Sequence, residues 1–132
     1  MGLFDLLAGI FGDGDTDTSF NWGLINSVEQ VKDILAASES RPQVIFKHSS
    51  RCATSFFARN DLETFPEEEK PNLDFHLVDV ICNRGESMFI AERLAVRHES
   101  PQVFVLYKGR VIWNGSHHRV QSQNVIEAIR EL

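Results

Sequence analysis

One stretch of the sequence decides the fold: QVIFKHSSRCATSFF, residues 43–57. It opens with β-branched and aromatic residues, Gln43 to Lys47, in a run whose length is typical of a buried strand. From Cys52 onward, the spacing of the aromatic residues predicts a helix that continues to Phe65 and that we expect Pro66 to end. Cys52 therefore lies where a buried strand has ended and a helix begins.

The same kind of pattern assigns the elements on both sides of this stretch. A capping box at Ser27 and Gln30 begins a helix with an apolar stripe. Gly109 supplies the positive φ of a tight hairpin turn. The remaining predictions are strands in 19–26, 73–81, 103–107 and 111–113, helices over 88–94 and 120–132, and a solvated loop over 67–71. The order βαβαβαββα predicts an α/β fold, with a mixed central sheet and helices on both faces.

Composition limits the possible functions. The chain has 132 residues, 42% of them hydrophobic and 24% charged, which indicates one globular domain. Its net charge of −6 argues against nucleic acid or an anionic membrane as the main partner. Four aspartates and no Lys or Arg lie within residues 1–21, so we divide the chain into an acidic, apolar N-terminal tail (1–18) and a domain (19–132). Neither a signal peptide nor a spanning segment is recognisable, and we expect a cytoplasmic protein.

The two cysteines, Cys52 and Cys82, are too far apart for a Cys-x-x-Cys pair, a zinc ribbon or a disulfide-rich scaffold. Cys82 follows a predicted strand, and two interpretations stay open: a resolving thiol that pairs with Cys52, or a free cysteine. The spacing of the histidines matches no zinc pattern, so we expect no metal site.

The surroundings of Cys52 favour a thiolate. Backbone N–H groups at a helix start stabilise negative charge, and the sequence places Lys47, His48 and Arg51 within five residues. We therefore expect a lowered thiol pKa. Ser55 occupies the position at which a dithiol oxidoreductase has its second cysteine, which predicts a one-thiol cycle, and Thr54 and Ser55 can both offer hydroxyls to the sulfur.

A second loop, Arg97-His98-Glu99-Ser100-Pro101, immediately precedes a predicted strand. A proline is tolerated at a strand entry, and a cis Ser100-Pro101 bond would bring this loop against another active segment. His98 is predicted either to lie beside Cys52 and tune its pKa or to have a purely structural role.

Together, the strand–Cys–helix motif, this proline and the following hairpin resemble the thioredoxin superfamily. Residues 46–52, 96–102, 109–113 and 116–117 closely resemble the monothiol bacilliredoxin family, whose members are described as general-stress, thioredoxin-like proteins. Family members usually have Pro-Ile after the cysteine, whereas this chain has Ala53-Thr54. The resemblance covers residues 20–132 and leaves out the tail.

This resemblance implies an enzyme that reduces mixed disulfides between proteins and bacillithiol through nucleophilic Cys52. Bacillithiol or a similar small thiol would be a co-substrate, thiolated proteins would be the partners, and no cofactor would stay bound. The negatively charged malate of bacillithiol would meet complementary charge near Lys47, Arg51 or His98. The thiol-activating or substrate-binding candidates are His48, Arg51, Thr54, Ser55, His98, Ser100 and Pro101.

An alternative function also fits a thiol at a helix start. The domain would then be a thioredoxin-fold binding or stress-response module, in which Cys52 is a site of protective thiolation without turnover.

Overall fold

The structure, a computed structural model, describes residues 20–132. The predicted N-terminal tail, residues 1–18, lies outside the described residues. Within them, the elements in chain order are β1 (Gly23–Leu24), α1 (Val28–Ala37), β2 (Gln43–His48), α2 (Ala53–Leu62), β3 (Asp74–Asp79), α3 (Arg84–Leu94), β4 (Gln102–Tyr107), β5 (Arg110–Ser116) and α4 (Ser122–Arg130). Short 3₁₀ helices cover Glu67–Asn72 and His117–Arg119. This order confirms the predicted α/β succession.

The five strands form one mixed sheet in the order β1-β3-β2-β4-β5. β1 and β2 both run parallel to β3, β4 is antiparallel to β2, and β5 is antiparallel to β4. β2 is the middle strand, and all six of its residues are buried. Because it has a partner strand on each side, its backbone groups are satisfied within the sheet.

The residues of β2 alternate between two cores, one on each face of the sheet. Val44 and Phe46 pack with residues of α2 and α4, whereas Ile45 packs with residues of α1 and α3. By the same alternation, His48 is directed toward α2 and Lys47 toward α1 and α3. The end of β2 therefore supplies side chains to both sides of the sheet.

Several boundaries differ from the sequence prediction. α2 ends at Leu62, and tight turns carry the chain on to the buried Phe65, so Pro66 does not itself end the helix. The segment predicted as a loop over 67–71 is largely a 3₁₀ helix. α3 begins at Arg84, four residues before Met88. The sequence pattern missed this first turn because the turn is polar and has no apolar periodicity.

The buried face of α2 also differs from its aromatic pattern. Ser55, Ala58 and Leu62 face the core, whereas Phe56 and Phe57 are 55% and 67% exposed. Their rings contact each other edge to face, with centroids 5.7 Å apart. The aromatic spacing predicts the helix correctly, but the small residues and Leu62 provide its packing surface.

The β4–β5 hairpin turns at Lys108 and Gly109, whose φ angles of +56° and +77° are those of a type I′ turn. The predicted positive φ of Gly109 is confirmed. Ser38, buried at the end of α1, accepts a hydrogen bond from the N–H of Gly109 through its Oγ at 3.0 Å. The same hydroxyl donates to the carbonyl of Leu35 at 2.6 Å, so one side chain ties the helix end to the turn.

None of the helices within residues 20–132 combines the length and the apolar character that crossing a membrane requires.

We expect Ser38→Ala to lower the free energy of unfolding by about 1.5 kcal/mol, because it leaves the Gly109 N–H without its acceptor. Ser40→Ala is the matched control, since that exposed hydroxyl makes only a 3.4 Å contact to the Ala37 carbonyl at the same helix end. Urea unfolding measures both variants. Equal losses for the two serines would contradict the proposed tie between α1 and the hairpin.

Candidate functional site

Cys52 lies at the N-cap of α2, four residues after β2 ends. Its N–H donates to the carbonyl of Ser49 at 3.2 Å, which closes the intervening turn, and its carbonyl accepts from the N–H of Phe56 at 3.0 Å. The side chain is partly exposed. The loop after β2 therefore presents a reachable thiol at a helix start, as the sequence predicts.

The pKa of the Cys52 thiol lies below its usual range. The largest cause is the backbone N–H of Ser55; the N–H and the hydroxyl of Thr54 act in the same direction, and partial burial opposes them. None of these donors reaches the sulfur with the geometry of a full hydrogen bond, and within residues 20–132 no side chain caps the start of α2. They therefore act mainly as dipoles aligned at the helix start, which stabilise the thiolate.

Lys47, His48 and Arg51, which the sequence predicts to lower the Cys52 pKa with their charges, do not have that effect in the structure. Lys47 is fully buried on the α1 and α3 side of the sheet, and Arg51 is exposed. The pKa of His48 is lowered, first by burial and then by the charge of Arg59, so its ring is neutral at pH 7. The direction predicted for the Cys52 pKa agrees with the structure, but its cause is the helix start and not the charges of Lys47, His48 and Arg51.

Ser55 has a structural role that the sequence analysis missed. Its side chain is fully buried, and its Oγ accepts from the N–H of Ser49 at 2.9 Å and contacts Nδ1 of His48 at 2.7 Å. The hydroxyl therefore joins α2 to the loop that carries Cys52. The amide of Ser55, and not the hydroxyl as predicted, acts on the sulfur.

The loop over residues 97–101, which we call the proline loop, is anchored at the start of β4. The Ser100-Pro101 peptide bond is cis. The Gln102 side chain donates to the Arg97 carbonyl at 3.0 Å and accepts from the N–H of Glu99 at 3.3 Å. The Pro101 carbonyl accepts from the N–H of His117 at 2.9 Å, which connects the loop to the end of β5.

Ser100 and His98 are partly buried polar residues of the proline loop. The Ser100 hydroxyl is buried, and no residue within 20–132 provides it with a hydrogen-bond partner. His98 is partly buried, and its Nδ1 lies 3.0 Å from Nζ of Lys47. His98 thus contacts the buried lysine and is not among the causes of the lowered Cys52 pKa.

A groove of about 320 Å³ begins beside the cysteine, at Thr54. Phe57, Ala58 and Asp61 line it on the α2 side, and the segment His117–Gln121 lines the other side. The sequence pattern includes residues 116–117 in the family resemblance but does not predict this groove. The signal that could have identified the groove is the Phe56–Phe57 pair within an otherwise polar helix.

Cys82 is an exposed free thiol shortly after β3. β2 and β3 are parallel and aligned so that His48 pairs with Asp79, and both cysteines follow the same edge of the sheet. One carboxylate oxygen of Asp79 accepts from the N–H groups of Ile81 and Cys82, at 2.8 and 3.1 Å.

Within residues 20–132, no three His, Cys, Asp or Glu side chains are grouped so that they could hold a metal ion.

Comparison with known proteins identifies the fold and the family. The family model described as "Monothiol bacilliredoxin BrxC" matches residues 24–125. A solved chain described as having a thioredoxin fold is 27% identical over 81% of this chain and 92% of its own, with a TM-score of 0.72. Spinach chloroplast thioredoxin f is 21% identical over 84% of this chain and 85% of its own, with a TM-score of 0.65. Thioredoxin NaTrxh of Nicotiana alata is 13% identical over 89% of this chain and 97% of its own, with a TM-score of 0.68.

The match to the family extends over most of the described domain and includes Cys52, Ser55 and the proline loop. The two thioredoxins support the fold alone. The chain therefore belongs to the monothiol bacilliredoxin family, with a thioredoxin fold and a thiol oxidoreductase-like role.

Proposed function

We propose that the chain is a monothiol disulfide reductase that removes a small thiol, bacillithiol or one like it, from proteins. The observation that carries this proposal is the partly exposed Cys52 at the start of α2, where aligned N–H groups lower the thiol pKa. A thiolate is the nucleophile of thiol–disulfide exchange. This position therefore provides the one group that the reaction needs.

The proposed cycle has two exchange steps. The Cys52 thiolate attacks the small-thiol sulfur of the mixed disulfide, forms a new disulfide with it and releases the protein as a thiolate. A second small thiolate then attacks the small-thiol sulfur on Cys52. It leaves as a symmetric small-molecule disulfide, and Cys52 is again a thiolate. No bound cofactor is required, and we place the cycle in the cytoplasm, where small thiols are kept reduced.

Ser55 supports a cycle with one thiol. In a dithiol enzyme this position would supply the sulfur that attacks Cys52, whereas here a buried hydroxyl holds the turn in place. A small thiol bound to Cys52 thus meets no neighbouring sulfur on α2. It must leave by reaction with a thiol from outside this helix.

The groove beside Thr54 and the proline loop are the proposed binding surfaces for the two halves of the substrate. By the family resemblance, Pro101 and the backbone of Ser100 in the proline loop are substrate-binding candidates. The groove adjoins this loop because the N–H of His117, a groove residue, donates to the Pro101 carbonyl, and the exposed Phe57 gives the groove an apolar wall. Lys47 is buried and cannot contact a carboxylate of the small thiol. Arg51 and His98 remain as the proposed contacts for that negative charge.

The first prediction concerns turnover. With a bacillithiolated protein as substrate and excess small thiol, the wild type is expected to release the substrate thiol catalytically, and Cys52→Ser is expected to lower release to the uncatalysed rate. Cys82→Ser is the matched control, because a monothiol cycle leaves its rate unchanged. Release by Cys52→Ser at the wild-type rate would contradict the enzyme and favour a module that is merely thiolated. Loss of turnover in Cys82→Ser would contradict the one-thiol cycle.

The second prediction concerns the cause of the lowered Cys52 pKa. In a Cys82→Ser background, the alkylation rate is expected to rise with pH through a midpoint below that of a free thiol, about 8.5. Thr54→Val removes a donor hydroxyl and should raise this midpoint, whereas Arg51→Gln should leave it unchanged. As the pH falls through the midpoint, turnover should fall with the thiolate fraction. A larger rise for Arg51→Gln than for Thr54→Val would contradict stabilisation by the helix start.

A further inference from the structure

Among the Lys, Arg, Asp and Glu residues of 20–132, Lys47 is the one that is fully buried. Its side chain is 0% exposed, and the centroid of the Phe104 ring lies 5.5 Å from its Nζ. Burial of an ammonium that has no charged partner carries a large desolvation cost. The one hydrogen-bond partner of Nζ within residues 20–132 is Nδ1 of His98, at 3.0 Å.

We propose that Lys47 is a positioning residue: it holds His98 as a neutral imidazole whose Nε2–H is presented by the proline loop as a donor to the substrate. The role in substrate binding rests on the proposed function, whereas the state of the ring does not.

The chemistry of the two groups determines which nitrogen carries the proton. Burial lowers the pKa of Lys47 to about 8, so at pH 7 the amine is still mainly an ammonium, which can only donate. The pKa of His98 is lowered by burial first, and then by the charges of Lys47 and Arg84, while Glu99 acts in the opposite direction. The imidazole is therefore neutral, its Nδ1 accepts from Lys47, and its proton must be on Nε2.

Lys47 acts on the proline loop in a way that the other anchors do not. Gln102 binds the backbone at Arg97 and Glu99, and His117 binds the Pro101 carbonyl. These contacts fix the path of the chain, but none of them orients the ring of His98. The contact with Lys47 fixes both the ring and its tautomer, since no other residue within 20–132 hydrogen-bonds to either ring nitrogen.

Lys47 can orient the His98 ring from inside the core because of its position in the sheet. It lies on β2, the strand that leads to Cys52, but its side chain is on the opposite face of the sheet from His48 and α2. The thiol and the His98 donor are thus placed by neighbouring residues of one rigid strand. His98 is only partly buried, so substrate bound at the proline loop can reach its ring.

The direct test is the tautomer of His98 in the full-length protein. In ¹⁵N-labelled protein at pH 7, long-range ¹H–¹⁵N correlation spectra distinguish a proton on Nδ1 from one on Nε2, and His98→Asn assigns the signal. We expect Nε2–H in the wild type and a mixture of tautomers in Lys47→Met, which keeps an unbranched apolar stem out to Cε but lacks the amine. Lys32→Met, at an exposed lysine of α1, is the matched control and should match the wild type.

A kinetic test separates substrate positioning from a structural effect. Lys47→Met and His98→Asn should each raise KM for the mixed disulfide about fivefold, as the loss of one hydrogen bond would, with kcat and the Cys52 alkylation rate unchanged. The double variant should be no worse than either single variant, because the two residues act as one unit.

A proton on Nδ1 in the wild type, or a Lys47→Met tautomer like that of the wild type, would overturn the assignment. Unchanged KM in both variants, or additive effects in the double variant, would overturn the role in substrate binding. If the wild type shows no turnover at all, the proposed function fails, and the tautomer measurement still decides the contact between Lys47 and His98.

Discussion

Burial of β2 between β3 and β4 is the constraint on which the rest of the structure depends. The strand is hydrogen-bonded on both edges and covered by helices on both faces. Its register, and with it the face of the sheet that each side chain occupies, is therefore fixed. Its register places His48 beside Asp79, and the Val80 N–H donates to the His48 carbonyl at 2.9 Å. The turn that carries Cys52 therefore leaves the sheet at a fixed point. A shift of one residue would exchange Lys47 with His48 and remove both contacts that organise the site.

The contacts of His48 with Ser55 and of Lys47 with His98 stabilise different segments at the end of β2. On one face, His48 contacts Ser55 and joins the cysteine turn to α2; on the other, Lys47 contacts His98 and the proline loop. The lowered pKa of Cys52 has a third source, the N–H groups at the start of α2. Thiol activation, the turn and the loop are thus supported by separate interactions, so a substitution in one is expected to leave the others largely intact.

The sequence predicts the fold well, because the signals involved are local. Strand-forming runs, the Ser27 capping box and the Gly109 turn all report backbone conformation, and the Gln30 N–H does donate to Ser27 Oγ. The position of Cys52 follows in the same way, from a buried run followed by a helical pattern.

What the sequence does not provide is the direction of side chains. Lys47, His48 and Arg51 look alike as nearby cations, yet one is buried on the far face, one is a neutral ring and one is exposed. The partners of Ser55 and Lys47 depend on which face of β2 each side chain occupies and on contacts across the fold, so they require the packed structure.

The central claim is that Cys52 works alone and carries the small thiol between the two exchange steps. The most direct test is to quench the wild-type protein with acid during turnover and to measure its intact mass and the peptide that is modified. We expect a disulfide-bound small thiol on Cys52 and none on Cys82. An internal Cys52–Cys82 disulfide, or a covalent complex of Cys52 with the substrate protein in place of the small-thiol adduct, would contradict it.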